Sequence, residues 1–511
     1  MTLSSPGSPG TQGPVGTGIA LPGDLRESRI FSLDVLRGIA LLGILIVSIW
    51  EFGGFTTNKQ TFFRAGTHGG NYNLLSFVSI VFEGKMRALF ALVFGAGIIL
   101  FMTKKDHPTQ EYVPDLYIKR NMWLILFGVF NAIVLLWPGD ILFHYAILGI
   151  LLFGFWRIAP RGLLIASIIA TLIYCGKIYW NYSDDKKAYK KFLAVKDVEK
   201  KFEKDSIAKF KRDSVLGVNR KDSLARLNVK DTVKISKDSL VKPVKTDTLT
   251  KEQKKDKEAW EGTTKRIKYD STADKNENKA MRSTKYTKIW AHLLGRSQYK
   301  ESYWLYQTGL WDIGSVMLLG MALLGFGFFW RSYPSQRYLL IAIPCILIGW
   351  FLGWYRNHNL DVRVADYAKY IDRHSLPYNF FYPIERILLA LGYAALVMSL
   401  MRINFLSRVW NTLAKVGRMA FTNYFLQTII CTLFFYGYGM GYFGRLTQVQ
   451  LYLMVLEIWL ILTVFSVLWL RAFHMGPIEW LWRYLIYKKK LPFRKNPPTT
   501  PITTTSTVIP D

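Results

Sequence analysis

The sequence predicts an all-α polytopic membrane protein of about ten transmembrane helices, with both termini inside and a large low-complexity extracytoplasmic insert between helices five and six. Three observations predict it. Apolar residues gather in runs of about 17 to 25, the length that crosses a bilayer. Aromatic residues make up 15% of the 511 residues, with 17 Trp, 28 Tyr and 33 Phe, an excess expected where amphipathic rings line membrane interfaces. The formal charge of +30 sits in short loops and one long insert, with no nucleic-acid module, so it reads as topology and solvation. Membrane lipids are the expected partners, and nucleic acid is not.

Residues 1–28 are a flexible tail rich in Gly, Pro, Ser and Thr. The first apolar segment continues into a full span, so no cleavable signal is expected. The first membrane half, 29–182, holds five spans, the first from Leu33 to Trp50. A polar loop from Gly53 to Asn73 contains His68. The next run, Leu74 to Met102, is long for one crossing and is interrupted by Glu83, Lys85 and Arg87, so its membrane helix is expected to begin near Met86. Spans three and four, Lys119–Trp137 and Ile141–Trp156, are joined by Pro138-Gly139-Asp140, a connection tight enough for a helical hairpin turning outside the membrane. Span five follows, Gly162–Trp180.

Residues 183–290 differ in kind, carrying 31 Lys/Arg against 18 Asp/Glu and few clustered hydrophobics. Such a stretch is expected to be disordered or a solvated helix. It repeats Asp-Ser/Thr-aliphatic six times, from Asp205-Ser206-Ile207 to Asp247-Thr248-Leu249. Five of the six follow Lys or Arg, a positive setting that argues against cation binding. The second half, 291–490, resumes with Thr308–Trp330, Tyr338–Tyr355, Phe381–Met401, Met419–Tyr438 and Thr447–Leu470. Pro477–Lys490 reads as an amphipathic interfacial helix, and 491–511 is a Pro/Thr tail. With ten alternating spans, Arg26, Lys104, Arg120, Arg157, Arg337, Arg408 and Arg418 share one side, which the positive-inside rule makes cytoplasmic. Cys175, Cys345 and Cys431 each lie in an apolar run, as packing residues do.

Four constellations carry polar chemistry. Asp34 and Arg37 are three apart and share a helix face, either as an anchor or as part of a cationic pocket. That pocket would group Arg37, Lys85, Arg87 and Arg418 around a phosphate-bearing ligand. Glu83 and Arg87 are four apart, a spacing for pairing within a bundle or for function. Asp140 and His144, also four apart, let a carboxylate orient an imidazole for acid/base work, with His68 a second candidate base. Asn423 and Gln427 stand one turn apart on a span opened by Arg418, to join helices or to line a polar cavity. No metal is expected, because the seven histidines lack metal-ligand spacing.

The chain resembles the YeiB-like bacterial inner-membrane proteins, whose C-terminal half is a domain of unknown function. The resemblance lies in SLDVLRGIALLGIL (Ser32–Leu45), FEGKMRALFALVFGAG (Phe82–Gly97), LLWPGDILFHYAILG (Leu135–Gly149), WDIGSVMLLGMAL (Trp311–Leu323), GRMAFTNYFLQ (Gly417–Gln427) and GPIEWLWRYLIY (Gly476–Tyr487). These proteins are distantly similar to membrane acyltransferases that carry acetyl groups from cytoplasmic acyl-CoA to a sugar on the far side. Asp34, Arg37 and Gly38 match their opening Asp-x-x-Arg-Gly motif. Asn131 stands where many members have His, so His144 or His68 would have to supply the base. The resemblance thus implies a multi-pass protein of the bacterial inner membrane, acyl-CoA as co-substrate with no permanently bound cofactor, and a glycan or other envelope acceptor. The same intramembrane charges fit a transporter or lipid-handling protein, and the insert fits a non-catalytic envelope scaffold.

Overall fold

The computed structural model describes residues 30–54, 69–104, 107–226, 249–267 and 271–495. Among them the only extended pairing is one antiparallel bridge between Phe473 and Arg494, and everything else regular is helical. The helices are α1 (Phe31–Phe52), α2 (Gly70–Val81), α3 (Lys85–Thr103), α4 (Val113–Val129), α5 (Leu142–Leu152), α6 (Pro160–Arg226), α7 (Lys251–Ile267), α8 (Ser271–Met281) and α9 (Tyr286–Tyr299). They continue as α10 (Leu310–Gly325), α11 (Ser335–Ala365), α12 (Tyr367–Arg373), α13 (Tyr382–Leu400), α14 (Ser407–Arg418), α15 (Ala420–Phe435), α16 (Gln448–Ala472) and α17 (Pro477–Tyr487). Two π-helical stretches, Phe130–Val134 and Lys300–Gly309, extend α4 and precede α10.

Among the described residues, seven helical stretches are long and apolar enough to cross a membrane: Phe31–Phe52, Gly70–Thr103, Pro160–Lys209, Tyr286–Gly325, Ser335–Ala365, Tyr382–Leu400 and Gln448–Ala472. Leu142–Phe155 and Ala420–Phe435 are apolar but shorter. Three of the seven, those starting at Pro160, Ser335 and Gln448, are only 28–33% buried in their most apolar windows, against 61–72% for the other four. Their open faces carry Ile169, Leu172, Leu347, Phe351, Leu460 and Leu468. A helix facing water would place polar residues there, so hydrocarbon is the surrounding that fits. This is a membrane protein.

The chain forms two compact units. The first comprises the described residues within 1–176, 270–361 and 378–511. Its interior is tightest where helices touch through glycine. Gly95 of α3 meets the backbone of Met317 and Gly320 of α10 meets that of Leu92, while Gly38 of α1 and Gly417 of α14 lie against each other. A Cβ at any of these four would collide with main-chain atoms, so Gly95 of Phe94-Gly95-Ala96-Gly97 serves close helix packing, while Gly97 lines open space. The second unit comprises the described residues within 177–269 and 362–377. Its core is aromatic: Trp260 stacks on Tyr367 with centroids 5.5 Å apart, Tyr189 lies 4.7 Å from Trp260, and Tyr189 Oη donates to Asp372 at 3.1 Å.

Two sequence expectations meet a different local structure. The helix that holds span five, α6, does not stop near Trp180 but continues to Arg226 and takes in three of the Asp-Ser repeats. The repeats at Asp231, Asp238 and Asp247 lie outside the described residues. The turn at Pro138-Gly139-Asp140 is not an exposed hairpin tip: Leu136, Trp137 and Asp140 are all buried. Leu136 takes a left-handed conformation, φ 59°, and its carbonyl accepts a hydrogen bond from Tyr436 Oη at 3.1 Å. Irregular backbone is tolerated inside a membrane bundle when its polar groups find protein partners in this way. By contrast, the break in the second run occurs where its charges imply, with Gly84 left-handed at φ 77° between α2 and α3.

Candidate functional site

Two cavities of similar size occupy the first unit. One, of about 200 Å³, is lined by Arg37, Arg120, Arg418 and Arg483 over an apolar interior that includes Leu41, Val93 and Phe94. Each arginine comes from a different helix: α1, α4, α14 and α17. Arg37 Nη1 lies 2.9 Å from Asp34 Oδ1, the i,i+3 pair that the sequence predicts. Arg418 Nη2 donates to the His474 carbonyl at 3.1 Å. The Arg120 guanidinium lies 5.2–5.7 Å from the ring centres of Trp482, Phe101, Phe94 and Tyr117. Its Nη1 is buried and has no hydrogen-bond partner among the described residues.

Glu479 of α17 is the carboxylate of this cavity. Its Oε1 accepts from the backbone N–H groups of Phe421 and Thr422 at 2.8 and 3.0 Å, and its Oε2 accepts from the Thr422 hydroxyl. It therefore caps the start of α15, where the orphan amides and the helix dipole favour an anion. Burial pushes its carboxyl above the ordinary glutamate range, against the pull of those donors.

The second cavity, of about 210 Å³, carries both signs of charge: Glu51, Glu83, Arg87 and Lys300, with Ser48, Trp137 and Tyr382. Lys300 Nζ lies 3.0 Å from Glu51 Oε2. Arg87 lies 3.7 Å from Asp312 and 5.3 Å from the Trp304 ring centre. Two residues line both cavities, Ile141 and Tyr424. The Tyr424 phenol accepts the Ile141 N–H at 3.2 Å and donates to Asp140 Oδ1 at 3.1 Å. Asp140 also accepts from Asn131 Nδ2 and from the Phe143 N–H, both at 2.9 Å.

The structure divides the expected cationic group. Arg37 and Arg418 share the arginine cavity, Arg87 lines the other, and Lys85 lines neither. Lys85 is fully buried, 2.5 Å from Glu385, which Arg356 also holds at 3.0 Å. Arg386 pairs with Asp312 and donates to the Gly84 carbonyl at 3.1 Å. Glu83 and Arg87 do not pair with each other. The helix starts after Gly84, so Glu83 is outside it and the four-residue spacing no longer sets a shared face. Glu83 takes the Ser79 hydroxyl at 2.6 Å and lies 3.9 Å from Arg356.

The same reason turns the Asp140 carboxylate away from His144, whose ring meets the Asp140 backbone instead. Asp140 precedes α5, and its carboxylate turns to Asn131, Phe143 and Tyr424. His144 Nε2 meets the Lys300 carbonyl at 3.0 Å, and its ring packs edge-on to Trp304. His144 lines neither cavity. His68 lies outside the described residues. Asn423 Nδ2 donates to Ser466 Oγ at 2.9 Å and to the Val416 carbonyl at 3.2 Å, tying α15 to α16 and α14. Gln427 is buried one turn on, and neither residue lines a cavity. Arg120, Arg483, Tyr424 and Glu479 were not singled out from the sequence, although Tyr424 and Glu479 lie inside two of its motifs.

Residues 335–489 match the family model described as a protein of unknown function (DUF418). The uncharacterised protein YxaH of Bacillus subtilis (strain 168) is 26% identical over 483 residues, covering 92% of this chain and 97% of its own. The uncharacterised protein YeiB of Escherichia coli (strain K12) is 26% identical over 475 residues, 89% and 96% of the two chains. The chain is YeiB-like over most of its length. A 39.9 kDa protein of Bacillus acidopullulyticus is 35% identical over 105 residues, 20% of this chain and 30% of its own. No solved structure matches. Both cavities of the YeiB-like chain draw on residues before and after position 335, so the DUF418 stretch alone supplies neither lining.

Proposed function

We propose that this protein transfers an acyl group from cytoplasmic acyl-CoA, held in the arginine cavity, to a hydroxyl-bearing envelope acceptor in the mixed-charge cavity. The reading takes the chain as a ten-span protein of the bacterial inner membrane. The positive-inside rule then turns the side bearing Arg120 and Arg418 toward the cytoplasm. The observation that carries the reading is Arg120. A buried guanidinium nitrogen with no hydrogen-bond partner, on a residue that lines a cavity together with three more arginines, is a candidate to hold a ligand anion. A diphosphate and a 3′-phosphate meet that need, and the apolar interior accommodates a short acyl chain. The thin wall formed by Ile141 and Tyr424 lets a donor on one side reach an acceptor on the other.

The test is ligand stabilisation followed by turnover. A ligand that binds the folded form stabilises it by mass action, by about 2.7 kcal/mol at a hundred times its dissociation constant, and so raises its melting temperature. Acetyl-CoA should stabilise the purified full chain, and Arg120→Gln should weaken binding about 10- to 100-fold, the loss of one or two charge-assisted hydrogen bonds. Labelled acetyl-CoA supplied to membrane vesicles should then release free CoA. No stabilisation, or a shift untouched by Arg120→Gln, sinks the proposal. The thin wall also supports a transporter, for which acetyl-CoA would bind without any free thiol appearing.

A further inference from the structure

We infer that Tyr424 is the proton carrier between the two cavities and that Asp140, rather than His144, stores the proton during transfer. The inference rests on the acyl-transfer reading above and assigns the base within it. Of the two residues that line both cavities, Ile141 offers only an aliphatic side chain, and its N–H is already committed to the Tyr424 phenol. The phenol is therefore the side-chain polar group common to both sides. A tyrosine hydroxyl donates once and accepts twice. Here the donor is directed to Asp140, one acceptor site takes the Ile141 N–H and the Trp137 indole stands at the other, so a substrate hydroxyl reaches the phenol by taking the place of Trp137, which lines the mixed-charge cavity.

Asp140 is built to receive what the phenol releases. Asn131 and the Phe143 N–H fix its carboxylate from two directions, and the buried turn keeps water from replacing Tyr424 as its partner. Asn131 thus acts as a positioning residue for the carboxylate. His144 is held away from both cavities by the Lys300 carbonyl.

The step balances. The acceptor oxygen forms a bond to the thioester carbonyl carbon. Its proton passes to Tyr424 Oη while the phenolic proton moves to Asp140. The C–S bond breaks, and the CoA thiolate on the arginine side recovers the proton from Asp140 through the same phenol. The products are an acyl ester and free CoA.

Tyr424→Phe keeps the ring that forms the wall and removes the relay, together with the hydrogen bonds to the Ile141 N–H and Asp140. With the full chain in vesicles, its acetyl-CoA-driven CoA release should fall about 100-fold or more, the usual scale of general-base loss. The shift that acetyl-CoA produces in its melting temperature should stay near that of the unsubstituted chain, while its own melting temperature falls as the buried Ile141 N–H loses its partner. Asp140→Asn should remove the rise of rate with pH, and Asp140→Glu should restore part of the rate. His144→Gln should leave turnover within a few-fold. Release by Tyr424→Phe at more than a tenth of the normal rate overturns the relay, as does a His144→Gln loss equal to that of Asp140→Asn. If the unsubstituted chain binds acetyl-CoA and releases no thiol, the acyl-transfer reading itself has failed, and the relay with it.

Discussion

Two groups of cations in the first unit are handled in opposite ways. At the head of α3, Lys85, Arg87, Arg356 and Arg386 interleave with Glu83, Asp312 and Glu385, carboxylates brought mainly from other helices. Each of these pairs replaces water for a charge that could not otherwise be buried, and each joins segments far apart in sequence. In the arginine cavity the guanidinium groups are held by a carbonyl at Arg418, by aromatic rings at Arg120 and by a neighbour on the same helix at Arg37. Positive charge matched by carboxylates binds helices together. At Arg120, positive charge positioned by neutral rings keeps its attraction for something that arrives later.

The largest expected effect breaks the first group. Lys85→Met leaves the buried Glu385 with only Arg356 and should lower stability by about 3–5 kcal/mol, the cost of stranding one partner of a buried pair. Thermal unfolding of the purified chain measures it. Replacing both partners, Lys85→Met with Glu385→Leu, should recover much of the loss, although Arg356 then lacks its nearest carboxylate. A double variant no more stable than the single one would mean that the network works through something other than pairing.

Arg120→Gln probes the other side of the contrast. It removes ring contacts to a cation worth roughly 0.5–1 kcal/mol apiece, but also relieves a buried nitrogen that lacks a partner, so its net effect on stability should stay within about 1 kcal/mol. The ligand effect should far exceed the stability effect, the reverse of Lys85→Met. If the two variants lose stability alike and bind acetyl-CoA alike, the division between the groups is wrong.

What could be read from the sequence follows the same physics. Membrane helices are legible because hydrocarbon demands long apolar runs, and the Asp34–Arg37 pair is legible because both residues lie inside one helix. Glu83–Arg87 and Asp140–His144 are not, because a left-handed glycine and a buried turn remove one member of each from the helix on which the spacing rule depends. Arg120 reads as a topology signal and Arg483 as part of an interfacial helix, and only tertiary packing brings them to Arg37 and Arg418. Tyr424 gave no local sign, since its importance lies in facing two cavities that neighbouring sequence does not encode. The amphipathic helix at Pro477 was legible, yet the carboxylate on it that caps α15 was not.

Glu479 offers the smallest effect and the finest test of the contrast, because it is the carboxylate that tempers the arginine cavity. Burial raises its pKa in the folded chain, so the folded form binds a proton more readily than the unfolded one. The sign follows: its contribution to stability is fullest below the ordinary glutamate range and is lost as pH rises through the raised value. The melting temperature of the unsubstituted chain relative to Glu479→Gln should therefore fall across that window. An incoming phosphate would be repelled by the ionised carboxylate and not by the protonated one. Acetyl-CoA should accordingly bind Glu479→Gln a few-fold more tightly than the unsubstituted chain near neutral pH, a screened interaction of modest size. The advantage should vanish in acid. An advantage that stays constant between about pH 5 and about pH 8 would mean that the anion does not approach Glu479, and that the four arginines do not act on a ligand as one group.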